Sequence, residues 1–153
     1  EQFEAAGMRI CPVRTSHDAA ASCGFRFETG DGDALGYATD TGFATEDMLH
    51  YLRDVRILAI ESNHDVRMLR EGPYPRYLQN RILSDSGHLS NDQAADVVRQ
   101  VAGARLKKVI AMHLSEHNNL PSLARESLEA VLADAGVSAE VLIASQRMLV
   151  SAR

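Results

Sequence analysis

The stretch Lys107–Asn119, "KKVIAMHLSEHNN", runs apolar from Val109 to Met112 and turns polar at His113. His117, Asn118 and Asn119 follow. A short apolar run bounded by polar residues reads as a buried strand. In open α/β sheets ligands bind outside the carboxyl ends of the strands, which is where His113 falls. Two other segments end in the same way. "ALGYATD" closes on Asp40, before Thr41 and Gly42, and "RILAIES" brings Glu61 ahead of Asn63, His64 and Asp65. His17, in "RTSHDA", and His88, in "SDSGHLSN", fall in loops that can reach the same rim.

Outward from these strand ends the chain reads as an α/β arrangement. "MRICPV" and "CGFRFETG" are short strands, and Gly30-Asp31-Gly32 turns the second into "ALGYATD". "TEDMLHYLRDV" then sets Met48, Leu49, Leu52 and Val55 on one helical face, with Thr45 as N-cap. "DVRMLREG" reads as a helix stopped by Gly72, and "YPRYLQNRILS" as one with Pro75 near its start. "SNDQAADVVRQVAG" opens on a capping box, Ser90 with Gln93, and closes at Gly103. "LPSLARESLEAVLADAG" is an amphipathic helix, "AEVLIAS" a last strand, and "MLVSAR" a candidate edge strand. A hairpin followed by alternating strands and helices predicts a mixed sheet.

The 153 residues suit one domain or a large part of one, and 45% are hydrophobic. No run of about 18 apolar residues occurs, so no membrane-spanning helix is expected. A net charge of −5 argues against a surface broadly basic for gripping nucleic acid. Local basic patches remain at Arg76 and Arg81 and at Arg105, Lys107 and Lys108; a solvated helix face or loop accounts for each as well. Cys11 and Cys23 make no CxxC motif and no disulfide framework, which favours a reducing, cytoplasmic setting.

Of six histidines, His50 alone sits inside a helix; the others occupy loops or strand ends rich in Asp, Asn and Ser. Any one of them is more simply a hydrogen-bonded structural residue. Five at rim positions beside Asp40 favour a metal or hydrolytic site. Imidazole and carboxylate together suit Zn²⁺, Mn²⁺ or Fe. A carboxylate can bridge two such ions, which activate water at neutral pH. A histidine outside the metal sphere can hold a phosphate or protonate a leaving group.

Five motifs in order, "TSHDA…CGF", "GYATDTG", "ESNHD", "SGHLSN" and "MHLSEHNN", resemble those of metallo-β-lactamase-fold hydrolases. The likeness is greatest to the WalJ/YycJ group, DNA exonucleases or phosphodiesterases, and it covers the chain from about Met8 to the last helix. The resemblance implies two divalent ions, Zn or Mn, in the complete enzyme. His17 and His113 become ligands to one ion each, and Asp40 becomes the carboxylate between them. His88 is implied as the histidine beside the scissile phosphate, and Glu61 as the acidic residue that orients it. His64, His117 and Asn118 are implied to contact substrate or support the ligands.

The family's main signature, H-x-H-x-D-H, occurs nowhere in this sequence. Residues 1–153 are therefore expected to be the C-terminal part of a single αββα domain, inactive alone. Its partners are expected to be the missing N-terminal half and a nucleic-acid or other phosphodiester substrate, with no membrane. Such a piece should expose an apolar sheet face. Two other readings stand beside a nuclease: a thioester- or lactam-type hydrolase on the same scaffold, and a metal-free interaction domain with structural histidines.

Overall fold

The computed structural model describes residues 1–151. Its strands are β1 (Phe3–Ala5), β2 (Met8–Arg14), β3 (Cys23–Thr29), β4 (Ala34–Ala38), β5 (Ile57–Glu61), β6 (Lys108–Met112) and β7 (Glu140–Ile143). They form one sheet in sequence order. β1 to β4 are antiparallel neighbours, a meander; β4 to β7 are parallel. The mixed sheet expected from the hairpin-then-alternation pattern is present. The parallel half is crossed by α1 (Glu46–Tyr51), then α2 (Val66–Glu71), α3 (Arg76–Ile82) and α4 (Asn91–Val101), then α5 (Pro121–Asp134).

Local chemistry sets the helix boundaries. Thr45 caps α1 by accepting from the Met48 amide, and Asp65 caps α2 through the Met68 amide. Both hydrogen bonds of the Ser90–Gln93 capping box are made at α4. α1 is shorter than its apolar period suggests. It stops at Tyr51, and Asp54 takes a left-handed φ of 54° on the way into β5. β1 was not expected; it is three exposed residues paired only to β2. Residues 148–151 form no strand, and the last two residues of "MLVSAR" lie outside the described residues.

The core lies on one face of the sheet. Met48, Leu52, Leu58, Ile60, Val98 and Leu128 are fully buried there, each stabilising the fold by roughly 1.5–3 kcal/mol. The opposite face carries aligned apolar rows. Phe25, Tyr37, Ala59, Ile110 and Leu142 are successive register partners from β3 to β7. All of these but Ala59 are only partly buried. Ile10, Phe27, Leu35 and Ile57 make the next row, which ends at the ion pair Lys108–Glu140, 3.3 Å. Parallel strands are normally covered on both faces. No helix among the described residues is long and apolar enough to cross a membrane.

Candidate metal centre

The carboxyl ends of the parallel strands gather the polar groups. Glu61 is the last residue of β5, His113 follows β6 directly, and Asp40 comes two residues after β4. Asp40 and His113 both adopt φ of 56°. Non-glycine residues seldom take this conformation, and it is held only where surrounding contacts fix it. Here it turns both side chains over the end of the sheet.

Loop contacts bring in the other two histidines. Gly42 donates its N–H to the Ser16 carbonyl (2.8 Å), and the Ser16 N–H donates to Thr41 Oγ1 (3.0 Å). Ser16 Oγ donates to the Asp85 carbonyl at 2.7 Å. The loop before α4 folds so tightly that a Cβ on Gly87 would stand 2.1 Å from the Ile82 carbonyl oxygen. Only glycine fits there, and the fold delivers the Gly87 carbonyl to His17 and His88 to the rim.

Glu61 is the hub. It is fully buried, and its Oε1 lies 2.7 Å from His88 Nδ1 and 2.7 Å from His113 Nδ1. The Thr41 amide donates to Oε2 at 3.1 Å. Burial works to raise this carboxyl's pKa, but the donors on His113 and His88 outweigh it and hold it below 4.5. An ionised carboxylate only accepts, so both imidazoles carry hydrogen on Nδ1. His17 Nδ1 lies 3.0 Å from the Gly87 carbonyl oxygen and is likewise a donor. His88 and His113 are thereby left with Nε2 for a ligand, the usual way a buried acceptor fixes a metal-binding histidine, while His17 Nε2 faces Asp18 Oδ1 at 3.3 Å. The Glu61 hydrogen bond raises the His113 pKa above 6.5 against its partial burial.

The three rings surround Asp40. Its Oδ1 is 3.8 Å from His17 Nε2, 3.7 Å from His88 Nδ1 and 3.6 Å from His113 Nδ1. Ring centroids are 5.0 Å apart for His17–His88 and 5.1 Å for His88–His113. Ligand atoms of Asp40, Glu61, His88 and His113 all lie within 4.8 Å of one another, a grouping able to hold a divalent ion. That grouping differs from the set implied by resemblance, which has His17 in place of Glu61 and His88. Glu61 Oε1 is already committed to two N–H donors, so it suits the anchoring role better than direct ligation.

The remaining residues named from sequence divide. His117 is exposed and lines a cavity of about 480 Å³ together with His17, His88 and His113. His64 and Asn118 do not line it; each is 1% exposed. Burial pushes the His64 pKa down to about 4 and keeps the ring neutral. Asn118 instead secures its own loop, its carbonyl accepting from the Asp65 amide at 2.9 Å. Both stand behind the cavity wall rather than on it. His50, on α1, is exposed and packs its ring edgewise on Tyr51. The Gly87 carbonyl, the Thr41 amide, Tyr74 and Arg81 had no role in the sequence reading of the site. Arg81 alone left a signal, as part of a basic patch.

This arrangement, on this sheet, is that of a metallo-β-lactamase fold. Residues 1–114 match the model of the beta-lactamase superfamily domain, and the chain belongs to that family. It is 40% identical over 126 residues to exodeoxyribonuclease WalJ of Streptococcus pneumoniae, an alignment covering 82% of this chain and 46% of that protein. It is also 40% identical over 121 residues to exodeoxyribonuclease YycJ of Bacillus anthracis, covering 79% and 46%. The chain thus spans a little under half the length of the curated relatives it matches. Among solved structures, the metallo-β-lactamase fold protein YhfI of Bacillus subtilis superposes with a TM-score of 0.67 at 19% identity, over 95% of this chain and 50% of that one. The short form of human tRNase Z superposes with a TM-score of 0.61 at 17% identity, over 97% and 45%. Zn²⁺-bound PqqB of Methylobacterium extorquens does so at 0.62 and 19%, over 94% and 47%. These likenesses establish the fold.

Proposed function

We propose that the protein containing this chain is a metal-dependent phosphodiesterase that digests nucleic acid as an exonuclease, through a two-metal site of which this chain supplies one side. The observation carrying the reading is the set of three imidazoles, each with Nδ1 committed to an oxygen acceptor, around the carboxylate of Asp40. The 40% identity to two proteins named exodeoxyribonucleases directs it toward nucleic acid.

His17, Asp40 and His113 are the residues that would hold divalent ions, Zn or Mn, with Asp40 shared between them. Bound ions supply activation of water and neutralisation of charge on the phosphate. The protein's own groups do the rest. Glu61 holds His88 by its Nδ1–H, and His88 lines the cavity. When Nε2 also carries a proton, as an imidazolium balanced by the Glu61 carboxylate, His88 gives that proton to the leaving oxygen and returns to the neutral ring. Glu61 holds His113 the same way, coupling the proton donor and a ligand through one oxygen atom. The aligned apolar rows on the far face of the sheet, most of them only partly buried, support packing against a second sheet, provided by the part of the protein outside this chain.

The test replaces His88 by alanine in the full-length protein. Cleavage of single-stranded DNA should fall about 100-fold or more, in the range for losing a general acid, with metal content unchanged. Unchanged cleavage, or loss of metal together with cleavage, contradicts this assignment.

A further inference from the structure

The cavity has a second wall that metal chemistry does not require. Tyr74 sits in "Gly72-Pro73-Tyr74-Pro75". Pro75 restricts the backbone of Tyr74, the residue before it, and Pro73 fixes its own φ one position upstream. Pro75 also provides the N-cap position of α3. The Tyr74 carbonyl accepts a hydrogen bond at 2.8 Å from Nε2 of Gln79, whose side chain belongs to a residue only 5% exposed. A buried amide on the next helix is thus spent on holding one loop carbonyl.

The ring held in this way meets His117 edgewise, centroids 5.9 Å apart at 64°. His117 is exposed, yet its loop is equally fixed: the Asn118 amide donates to Ser115 Oγ at 3.1 Å, and the Asn118 carbonyl holds the Asp65 amide at 2.9 Å. Tyr74, His117 and Arg81 line the same cavity as His17, His88 and His113. Its volume, about 480 Å³, falls within the range of small-ligand pockets. Arg81 places Nε 2.8 Å from Oδ2 of Asp18, whose Oδ1 lies 3.3 Å from His17 Nε2, and the Arg81 side chain stays 62% exposed. A guanidinium has five donors, so N–H groups remain for a phosphate oxygen.

We infer that Tyr74 and His117 form a subsite that stacks the nucleobase at the digested end of the strand, while Arg81 contacts the adjoining backbone phosphate. Two pre-positioned rings beside a cation are what a single-stranded nucleic acid needs. Every base has a π-face, so the subsite grips without selecting sequence. The inference rests on the phosphodiesterase reading above and adds the part of the substrate it recognises.

The experiment uses the full-length protein, loaded with Zn²⁺ or Mn²⁺. Its substrates are paired single-stranded DNA oligonucleotides whose terminal residue, at either end, carries a base or an abasic tetrahydrofuran sugar. The wild type should show a KM about 10-fold lower for the base-bearing end. In Tyr74→Leu that preference should shrink to about 2-fold or less, with Tyr74→Phe restoring it. His117→Ala, on an exposed loop, should shrink it as well. Equal KM for both substrates in the wild type, or Tyr74→Leu changing both in proportion, overturns the subsite while the phosphodiesterase reading stands. Failure of the loaded wild type to cleave either substrate overturns both.

Discussion

Glu61 Oε1 stands 2.7 Å from His113 Nδ1, which ties a buried charge on β5 to a ring just beyond β6. The same oxygen serves His88, so one carboxylate sets the tautomer of both imidazoles. In Glu61→Gln the amide oxygen can replace only one of the two carboxylate oxygens: turned to the rings it leaves the amide N–H against the Thr41 N–H, and turned to Thr41 it leaves N–H against both rings. Zn²⁺ affinity of the full-length protein, followed by competition with a chromophoric chelator, should fall about 10- to 100-fold. Wild-type affinity in this variant contradicts the anchoring role.

Gly87 is needed where the loop before α4 passes the end of α3, since a Cβ would stand 2.1 Å from the Ile82 carbonyl oxygen and 2.4 Å from that of Arg81. Gly87→Ala must push the loop outward and move the carbonyl that holds His17. The overpacking should cost roughly 1–3 kcal/mol in thermal or denaturant unfolding. An unchanged midpoint argues that the loop is loose rather than fitted.

His64 gives a pH dependence that owes nothing to catalysis. Burial lowers its folded pKa to about 4 from 6.5. Above pH 6.5 the ring is neutral in both states and the contribution is level. As pH falls from 6.5 toward 4 the unfolded chain takes up the proton and the folded chain does not, so stability declines. The loss reaches roughly 3 kcal/mol at most. Urea unfolding across this interval checks it, and His64→Gln should flatten the slope. A wild type equally stable at pH 4.5 and 7 contradicts the buried neutral ring.

The row Phe25–Tyr37–Ala59–Ile110–Leu142 implies a covering layer. The dye ANS should fluoresce more strongly with the isolated 153-residue chain than with the full-length protein at equal concentration. Equal fluorescence indicates that this face serves as ordinary surface.

Much of the sheet was legible because its signals are local. The turn at Gly30-Asp31-Gly32, the capping box at Ser90 and the apolar runs of β5 and β6 each lie within a few residues. The end of α1 was not, because the apolar period continues to Val55 while the helix stops at Tyr51 and the chain turns through Asp54, at a left-handed φ, toward β5. Strand ends marked Asp40, Glu61 and His113 as rim residues, and the family resemblance offered roles for them. That Glu61 serves two histidines depends on contacts spanning 27 and 52 positions. The His17–Gly87 contact spans 70. No local pattern encodes such pairings. His64 and Asn118 sit in motifs as polar as that of His117, and only the packing separates buried supports from a cavity wall.

Metal dependence of DNA cleavage tests the central claim most directly. Full-length wild type and Asp40→Ala are stripped with chelator, then assayed on single-stranded DNA before and after addition of Zn²⁺ or Mn²⁺. The wild type should be inactive when stripped and recover on reloading; Asp40→Ala should stay about 100-fold or more below it. Full cleavage by the stripped wild type, or full recovery by Asp40→Ala, contradicts a metal centre built on Asp40.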